Sequence, residues 1–385
     1  MALKKATIKV KRKSTPSKTV SPKAAIKRKP QGSKIKPTYP HLHKFEENPI
    51  LEPSEKNRWE SKATFNAAAL YENGKVHLLY RAIGDSDISV LGYASSADGL
   101  NIIERLSNPA YIEFRKYSSA VRGGSIPQIF YTSGGGWGGG AEDPRLTAID
   151  EKVYILYTSF DGWGSVRIAL TSIGLHDFLE KKWNWKTPVL ISPPGEIHKN
   201  WVLFPEKIDG KYAILHSISP TISIDYFENL DYFDGKKYIE DSLYDRGWTK
   251  GRWDSQMRGA GPPPLKTKDG WLLFYHGIDR NDPGRYKLGA MLLDLHDPTK
   301  ILYRSKAPTL APDESYENEG FKAGVVYSCG AVIMDGKIFV YYGGADSVVC
   351  VATTDLDEFI QELKTTGAPK MKRVITNSNG VHVRT

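Results

Sequence analysis

The sequence predicts an all-β protein, a five-bladed β-propeller. A strand-like run recurs five times, a second short run follows four of the five, and strand and turn residues dominate the composition. The recurring runs are GKVHLLYRA at Gly74–Ala82, EKVYILYTS at Glu151–Ser159, GKYAILHSI at Gly210–Ile218, GWLLFYHGI at Gly270–Ile278 and GKIFVYYGG at Gly336–Gly344. Their starts lie 77, 59, 60 and 66 residues apart. Each leaves a turn and continues at strand length through β-branched and aromatic residues.

The followers are SVLGYAS, SVRIALTS, YKLGAML and SVVCVATT, after the first, second, fourth and fifth runs. Each run and its follower read as neighbouring antiparallel strands. A unit of this length has room for about four strands and cannot bury both faces alone. Five units in a ring cover one another and leave only short edges. The alternative is a β-sandwich with accidental internal similarity, and a fivefold recurrence argues against it. The 35 glycines, 23 prolines and 21 tyrosines fit strands joined by tight turns better than long helices.

One helix is expected. DLDEFIQELK, Asp355–Lys364, starts acidic, ends basic, and places Leu356, Phe359, Ile360 and Leu363 on one stripe. It reads as a closing helix on the outside of the ring. The expected organisation is a disordered basic tail over 1–44, a propeller catalytic domain over 45–364 and a C-terminal extension over 365–385.

The net charge of +9 belongs to the tail. Residues 1–40 carry 13 Lys or Arg and no acid, which leaves 40 basic and 44 acidic residues, a net of −4, in the remainder. The body is therefore not a basic protein, and contact with nucleic acid is confined to residues 1–40. Cys329 and Cys350 make no disulfide framework, so a reducing compartment is expected. The opening MALKKATIKVKRKS lacks the apolar stretch of a secretion signal, and no run of 18 apolar residues suits a membrane-spanning helix. A cytoplasmic protein is expected. The extended segments at both ends offer contacts for a homo-oligomer.

The chemistry-bearing stretch is GGGWGGGAEDPR, Gly134–Arg145. Glycines allow a ligand to approach the backbone. Trp137 suits stacking on a flat apolar ligand face. Pro144 is expected to hold Asp143 extended and so to aim its carboxylate. Arg145 suits orienting that carboxylate or binding an anion. The plainer alternative is a surface loop with an Asx-turn and a salt bridge.

Similar acids, bases and aromatics sit at the ends of the other repeats. Arg81 ends the first run, and Arg122 stands beside two glycines in SAVRGG. HKNWVLFPEK supplies Lys199, Asn200 and Glu206; WDSQMRG supplies Arg258; FYHGIDR supplies His276; and YYGGADS supplies Asp346. Carboxylates for hydroxyls and aromatic faces for a pyranose suit a sugar. Lys199, Arg258, His276 and Arg81 suit an anion. Phosphate is itself a nucleophile, so a phosphate-using enzyme needs no protein base for it. No histidine pair suits a metal, and neither a Walker loop nor a dinucleotide fingerprint occurs. No metal and no cofactor are expected.

Together these stretches resemble glycoside hydrolase family 130, the β-mannoside phosphorylases and related β-mannosidases. The resemblance runs from about Asn48 to Leu363. It rests on NPIL, WESKATFNAA, LLYRA, AEDPR, KNWVLFPEKIDGKY, GAGPPPLKTKDGWLLFYHG, LGAMLLDLHDP, YENEGF and VYYGGAD. It implies a five-bladed propeller and an inverting reaction in which phosphate takes the mannosyl group as α-mannose 1-phosphate. It implies that Asp143 is the proton donor, which in many members acts through a sugar hydroxyl. By the same resemblance Asn66, Arg81, Asn200 and Asp346 are sugar-site positions, while Lys199, Arg258 and His276 match the phosphate region.

Two positions depart from the phosphorylase pattern. Ser217 follows the LH of the third repeat, where an arginine is common, and a serine cannot fork onto phosphate. Lys199 stands where an arginine is frequent. The expected function is phosphorolysis of a β-mannoside by inorganic phosphate. Hydrolysis by water, with Glu206 as base, and a non-catalytic carbohydrate-binding propeller are the alternatives. The sequence leaves the linkage, β-1,4 or β-1,2, open.

Overall fold

The structure, a computed structural model, describes residues 39–113, 138–240 and 252–367 and the short strands Ile375–Thr376 and His382–Val383. Twenty strands among these residues form five consecutive antiparallel sheets, the blades of a propeller. β1 (His43–Lys44) comes first in the chain but belongs to the last blade. The first blade is β2 (Ala63–Glu72), β3 (Lys75–Ile83), β4 (Val90–Ser96) and β5 (Ile102–Arg105). The second is β6 (Gly140–Ile149), β7 (Lys152–Phe160), β8 (Val166–Gly174) and β9 (Val189–Leu190).

The third blade has three strands, β10 (Val202–Leu203), β11 (Tyr212–Ser217) and β12 (Ser223–Phe227). The fourth has β13 (Gln256–Ala260), β14 (Leu265–Thr267), β15 (Gly270–Asp279), β16 (Asp282–Leu293) and β17 (Ile301–Arg304). The fifth has β18 (Val326–Met334), β19 (Lys337–Gly344) and β20 (Val348–Asp355), with β1 on its outer edge.

The five recurring runs are the second strands, β3, β7, β11, β15 and β19. Their four followers pair with them antiparallel, as expected. The third blade lacked a follower in the sequence, and its β12 is short and mostly half-buried. The first strands β2, β6 and β18 pack on one another, which sets the first strand of a blade at the centre of the ring.

Packing between blades explains why the second strands are apolar nearly throughout. One cluster joins Ala67, Leu78, Tyr80 and Val90 of the first blade to Val332, Phe339, Tyr341 and Val351 of the fifth. Another joins Leu79, Leu91 and Tyr93 of the first to Ile155, Tyr157 and Ala169 of the second. Both faces of a blade are therefore covered, and both sets of alternate side chains must be apolar.

The ring is closed by pairing the start of the described chain with its end. His43 lies opposite Thr353 and Lys44 opposite Ala352. Leu42 is buried among Leu272, Phe274, Val340 and Phe359. Lys44 Nζ donates to Ala311 O at 2.9 Å, to Glu317 Oε2 at 2.6 Å and to Asp313. The propeller thus begins before residue 45, because an apolar side chain and a closing ladder lie just ahead of it.

The expected helix is α3, the third helix in the chain, over Leu356–Thr366 after the short α1 (Leu175–Leu179) and α2 (Ser315–Asn318). The Asp355 side chain accepts the Glu358 N–H at 2.9 Å as its N-cap. Phe359, Ile360 and Leu363 are buried against the fourth and fifth blades. Beyond it, Ile375–Thr376 pairs with His382–Val383.

The first strands share one irregularity that later positions the site. Register shifts occur between Phe65 and Ala68 in β2, Glu142 and Arg145 in β6, Met257 and Gly259 in β13, and Ser328 and Gly330 in β18. Each is a bulge, which bends a strand and re-aims a side chain.

Leu42→Ala is expected to lower the unfolding free energy by about 2–5 kcal/mol, the usual cost of a buried Leu→Ala change. A urea titration with an unshifted midpoint would show that the closing strand does not hold the ring.

Candidate active site

The bulges of four blades, with Asn200 of the third, bring side chains from every blade together. Asn66 and Asp143 occupy them in the first two blades, Arg258 and Cys329 in the last two, and Asn200 stands two residues before β10 in the third. These positions are 77, 57, 58 and 71 residues apart. Asn66, Asp143 and Asn200 all have left-handed backbone, with φ of 50°, 50° and 67°. Asp143 is therefore not extended, as Pro144 alone would suggest. The bulge overrides the preference, and Asn and Asp are the side chains that tolerate this region. Pro144 has no N–H to offer the ladder and fits where the ladder is interrupted.

Two glycines make room at this level. A Cβ on Gly343 would lie 2.1 Å from Asn66 Oδ1, and one on Gly259 would lie 2.7 Å from the Asn200 Cβ. Backbone and amide side chains meet there at distances that a side chain would forbid.

The centre of the cluster is Arg81, fully buried at the end of β3. Its Nη2 donates to Glu142 Oε1 at 2.9 Å and its Nη1 to Asp143 Oδ1 at 3.2 Å, while Nε donates to Ser89 Oγ at 3.0 Å. Asn66 Nδ2 also donates to Asp143 Oδ1, at 2.8 Å. The other oxygen of Glu142, Oε2, faces Lys199 Nζ at 3.6 Å and has no hydrogen bond among the described residues. Asp346 is buried in the turn after β19, with φ of 52°, and interacts electrostatically with Arg81, Asp143, Lys199 and Lys322.

Arg145 ties the second, third and fourth blades together. Its Nε donates to Gly261 O at 3.0 Å, Nη1 to Asp143 O at 2.6 Å, and Nη2 to Asn200 Oδ1 at 2.8 Å. Asn200 in turn donates to Arg258 O at 2.6 Å and accepts from Tyr327 Oη. Of the two roles read for Arg145, orienting Asp143 or binding an anion, the contacts fit the first: each nitrogen holds a protein acceptor, and it braces Asp143 and Asn200.

His276 stacks on Tyr327, with ring centroids 3.9 Å apart and planes 11° from parallel. Its Nε2 accepts the Ser328 N–H at 3.0 Å, which places the ring proton on Nδ1. Nδ1 is buried and has no hydrogen bond among the described residues. Burial, then Arg145 and Arg258, lower its pKa to about 3. His276 is held neutral here and presents its Nδ1–H as a donor.

The two adjacent carboxyls are pulled apart in acidity. Burial raises Asp143, but Arg81, Lys199, Arg145 and the Asn66 hydrogen bond outweigh it and hold the group at about 2. Burial raises Glu142 too; Arg81 and Lys199 oppose the rise, Asp143 adds to it, and the result is a raised pKa. Burial likewise raises Asp346 against Lys322 and Arg81. In the unliganded site Asp143 is a carboxylate.

Asn66, Arg81, Asp143, Arg145, Asn200, Lys199, Arg258, His276 and Asp346 are thus brought together. Glu206 is not: it is exposed and paired with Lys266 at the start of the β14–β15 hairpin. Ser217 Oγ donates to Ser219 O at 3.1 Å within its own turn. Arg122, Trp137 and the basic residues of the tail lie outside the described residues. Among the described residues no group of three or more His, Cys, Asp or Glu side chains is placed to hold a metal ion. No described helix is long and apolar enough to cross a membrane.

Sequence reasoning passed over Glu142, Tyr327 and Ser328. All three lie at or beside a bulge, and the 77-, 57-, 58- and 71-residue spacing of Asn66, Asp143, Asn200, Arg258 and Cys329 was the available signal.

A propeller whose buried carboxylates and guanidinium groups converge on the first strands of its blades has the architecture of a carbohydrate-active enzyme. The chain belongs to glycoside hydrolase family 130: the family model, described as β-1,4-mannooligosaccharide phosphorylase, matches residues 33–365. It is 40% identical over 328 residues to a 1,2-β-oligomannan phosphorylase of Thermoanaerobacter sp. (strain X514), covering 82% of this chain and 98% of the relative. It is 38% identical over 332 residues to a β-1,2-mannobiose phosphorylase of the same organism, again 82% of this chain and 98% of the relative. The structure of a β-1,2-mannobiose phosphorylase from Listeria innocua, in complex with β-1,2-mannobiose, superposes with a TM-score of 0.63 at 25% identity, covering 84% of this chain and 99% of that one.

Arg81→Ala leaves two buried carboxyls without their shared partner and is expected to destabilise the protein by about 3–5 kcal/mol; chemical denaturation measures it, and a loss below about 1 kcal/mol contradicts the pairing. Nitrogen-15 NMR of the imidazoles is expected to show His276 as one neutral tautomer, protonated on Nδ1, with no titration between about pH 5 and 8. A midpoint near the ordinary 6.5 would contradict it.

Proposed function

We propose that this protein is an inverting β-mannoside phosphorylase that transfers a mannosyl group to inorganic phosphate and yields α-mannose 1-phosphate. A phosphate oxygen forms the new bond to the anomeric carbon while the glycosidic C–O bond breaks. The departing oxygen receives a proton supplied by Asp143. Asn66, Arg81, Asn200 and Asp346 hold the sugar, and Lys199, Arg258 and the Nδ1–H of His276 hold the phosphate. The observation that carries this reading is the buried Arg81–Glu142–Asp143 cluster, with Lys199 and an unengaged His276 N–H beside it.

Hydrolysis is the weaker reading. Water needs a protein base, and the candidate Glu206 is exposed and paired with Lys266. Ser217 lowers the positive charge expected near phosphate, but Lys199 and Arg258 remain. For linkage we favour β-1,2. The Thermoanaerobacter relatives are named for it and match over 98% of their lengths, which outweighs the β-1,4 description of the family model.

The test is product analysis with β-1,2- and β-1,4-mannobiose, each with and without inorganic phosphate. Mannose 1-phosphate from the β-1,2 substrate, only with phosphate, is the expected result. Free mannose formed equally fast without phosphate would make the enzyme a hydrolase. Asp143→Asn is expected to lower turnover by at least about 10²-fold. His276→Ala is expected to raise KM for phosphate more than KM for the mannoside; a defect confined to the mannoside would move His276 out of the phosphate site.

A further inference from the structure

Glu142 and Asp143 are consecutive, buried, and bound to the same guanidinium through different nitrogens. Two adjacent carboxylates disfavour each other's ionisation, and groups this close release their protons as a pair. Arg81 and Lys199 oppose protonation of both carboxyls, and Arg145 opposes it at Asp143. Arg81 comes from β3, Arg145 from β6 and Lys199 from the segment before β10, while Arg258 from β13 acts on His276 and Lys322 from the segment before β18 acts on Asp346. Asn66 from β2 donates to the pair, while Asp346 after β19, His276 on β15 and Cys329 on β18 face it without positive charge.

One acceptor in this network is open. Glu142 Oε2 is buried, lacks a hydrogen bond among the described residues, and stands 3.6 Å from Lys199 Nζ. Lys199 and Arg258 are also the cations assigned to phosphate above. An anion that engages Lys199 weakens the positive charge that opposes protonation of the pair, and adds negative charge beside it. Both effects raise the proton affinity of the pair. His276 does not blunt them, because it is neutral in the unliganded site.

We propose that anion binding in this site is coupled to uptake of one proton by the Glu142–Asp143 pair, so that the acid is protonated only when phosphate is in place. This rests on the phosphorylase reading of the site. It makes Glu142 a positioning residue that works through Asp143 and Lys199. A proton donor must carry a proton, and the Arg81 and Asn66 donors that now engage Asp143 favour its carboxylate.

The experiment is calorimetric titration of the full-length protein with sulfate, which does not itself titrate near neutrality, and with inorganic phosphate. Each is run at pH 7 in buffers of differing ionisation enthalpy. The slope of observed heat against buffer ionisation enthalpy counts the protons taken up. The wild-type protein is expected to take up about one proton with sulfate, and its sulfate Kd is expected to rise about tenfold per pH unit around neutrality. Glu142→Gln is expected to bring the uptake near zero, because Arg81 then serves Asp143 alone.

Uptake that persists in Glu142→Gln places the proton elsewhere, His276 first, and overturns the assignment. Should that variant not fold, difference infrared spectra of the wild type decide. A protonated-carboxyl stretch appearing with sulfate supports the coupling, and its absence overturns it. Anion binding without proton uptake removes the coupling and leaves the phosphorylase reading standing. No binding of either anion, in a protein that releases free mannose in water alone, removes both.

Discussion

The Arg81 guanidinium is the constraint around which the site is arranged. It is fully buried and divides its nitrogens between two adjacent carboxyls and a serine. A buried cation with a single partner is costly, and one with three well-placed acceptors is held in one position. Because Arg81 comes from the first blade and Glu142 and Asp143 from the second, the pairing also fixes how those blades meet. Arg145 repeats the device between the second, third and fourth blades, with Asp143 O, Asn200 and Gly261 O as its acceptors. Asn200, Tyr327 and Ser328 carry the connection to the fifth. The ring is thus stitched by polar contacts at its centre and by apolar clusters between blades farther out.

The bulges make this polar centre compatible with strands. A regular strand alternates its side chains, and both faces of a blade are needed for packing against neighbours. An extra residue at one level frees a side chain to point elsewhere without shifting the rest of the strand to the wrong face. Left-handed backbone at Asn66 and Asp143, and the missing side chain at Gly343, are local consequences. Such strain is tolerated because the surrounding ladders and the Arg81 network over-determine it.

The same contrast decides what was legible in the sequence. The second strands are long, apolar and uninterrupted, so GKVHLLYRA and its four relatives announced the blades and their number. The first strands carry the site, but their pattern is broken by the bulge, and β10 is only two residues long. Asn66 was named through family resemblance, and Asp143, Asn200 and Arg258 from their own stretches, with their convergence unreadable until the bulges were seen. Glu142 was passed over because adjacency does not say which of two carboxyls a distant arginine holds. The acceptors of Arg145 were unreadable for a related reason: they are two backbone oxygens and an amide brought together only by folding. The closing strand at His43 was invisible, since two residues beside a basic tail show no period. The α3 stripe, being local, was read correctly.

Charge ties the pieces to function. The innermost groups, Arg81, Arg145 and Lys199 against Glu142, Asp143 and Asp346, nearly balance, and His276 adds a donor without charge. An anion arriving beside them therefore meets Lys199 and Arg258 and disturbs a compensated network, which makes protonation of that network the natural response. The most direct test is a crystal structure of the protein soaked with inorganic phosphate. The anion is expected to contact Lys199, Arg258 and the Nδ1–H of His276, within reach of a sugar held at Asp143. Phosphate bound elsewhere, with His276 Nδ1 untouched, would contradict the assignment of this cluster as the phosphate end of the site.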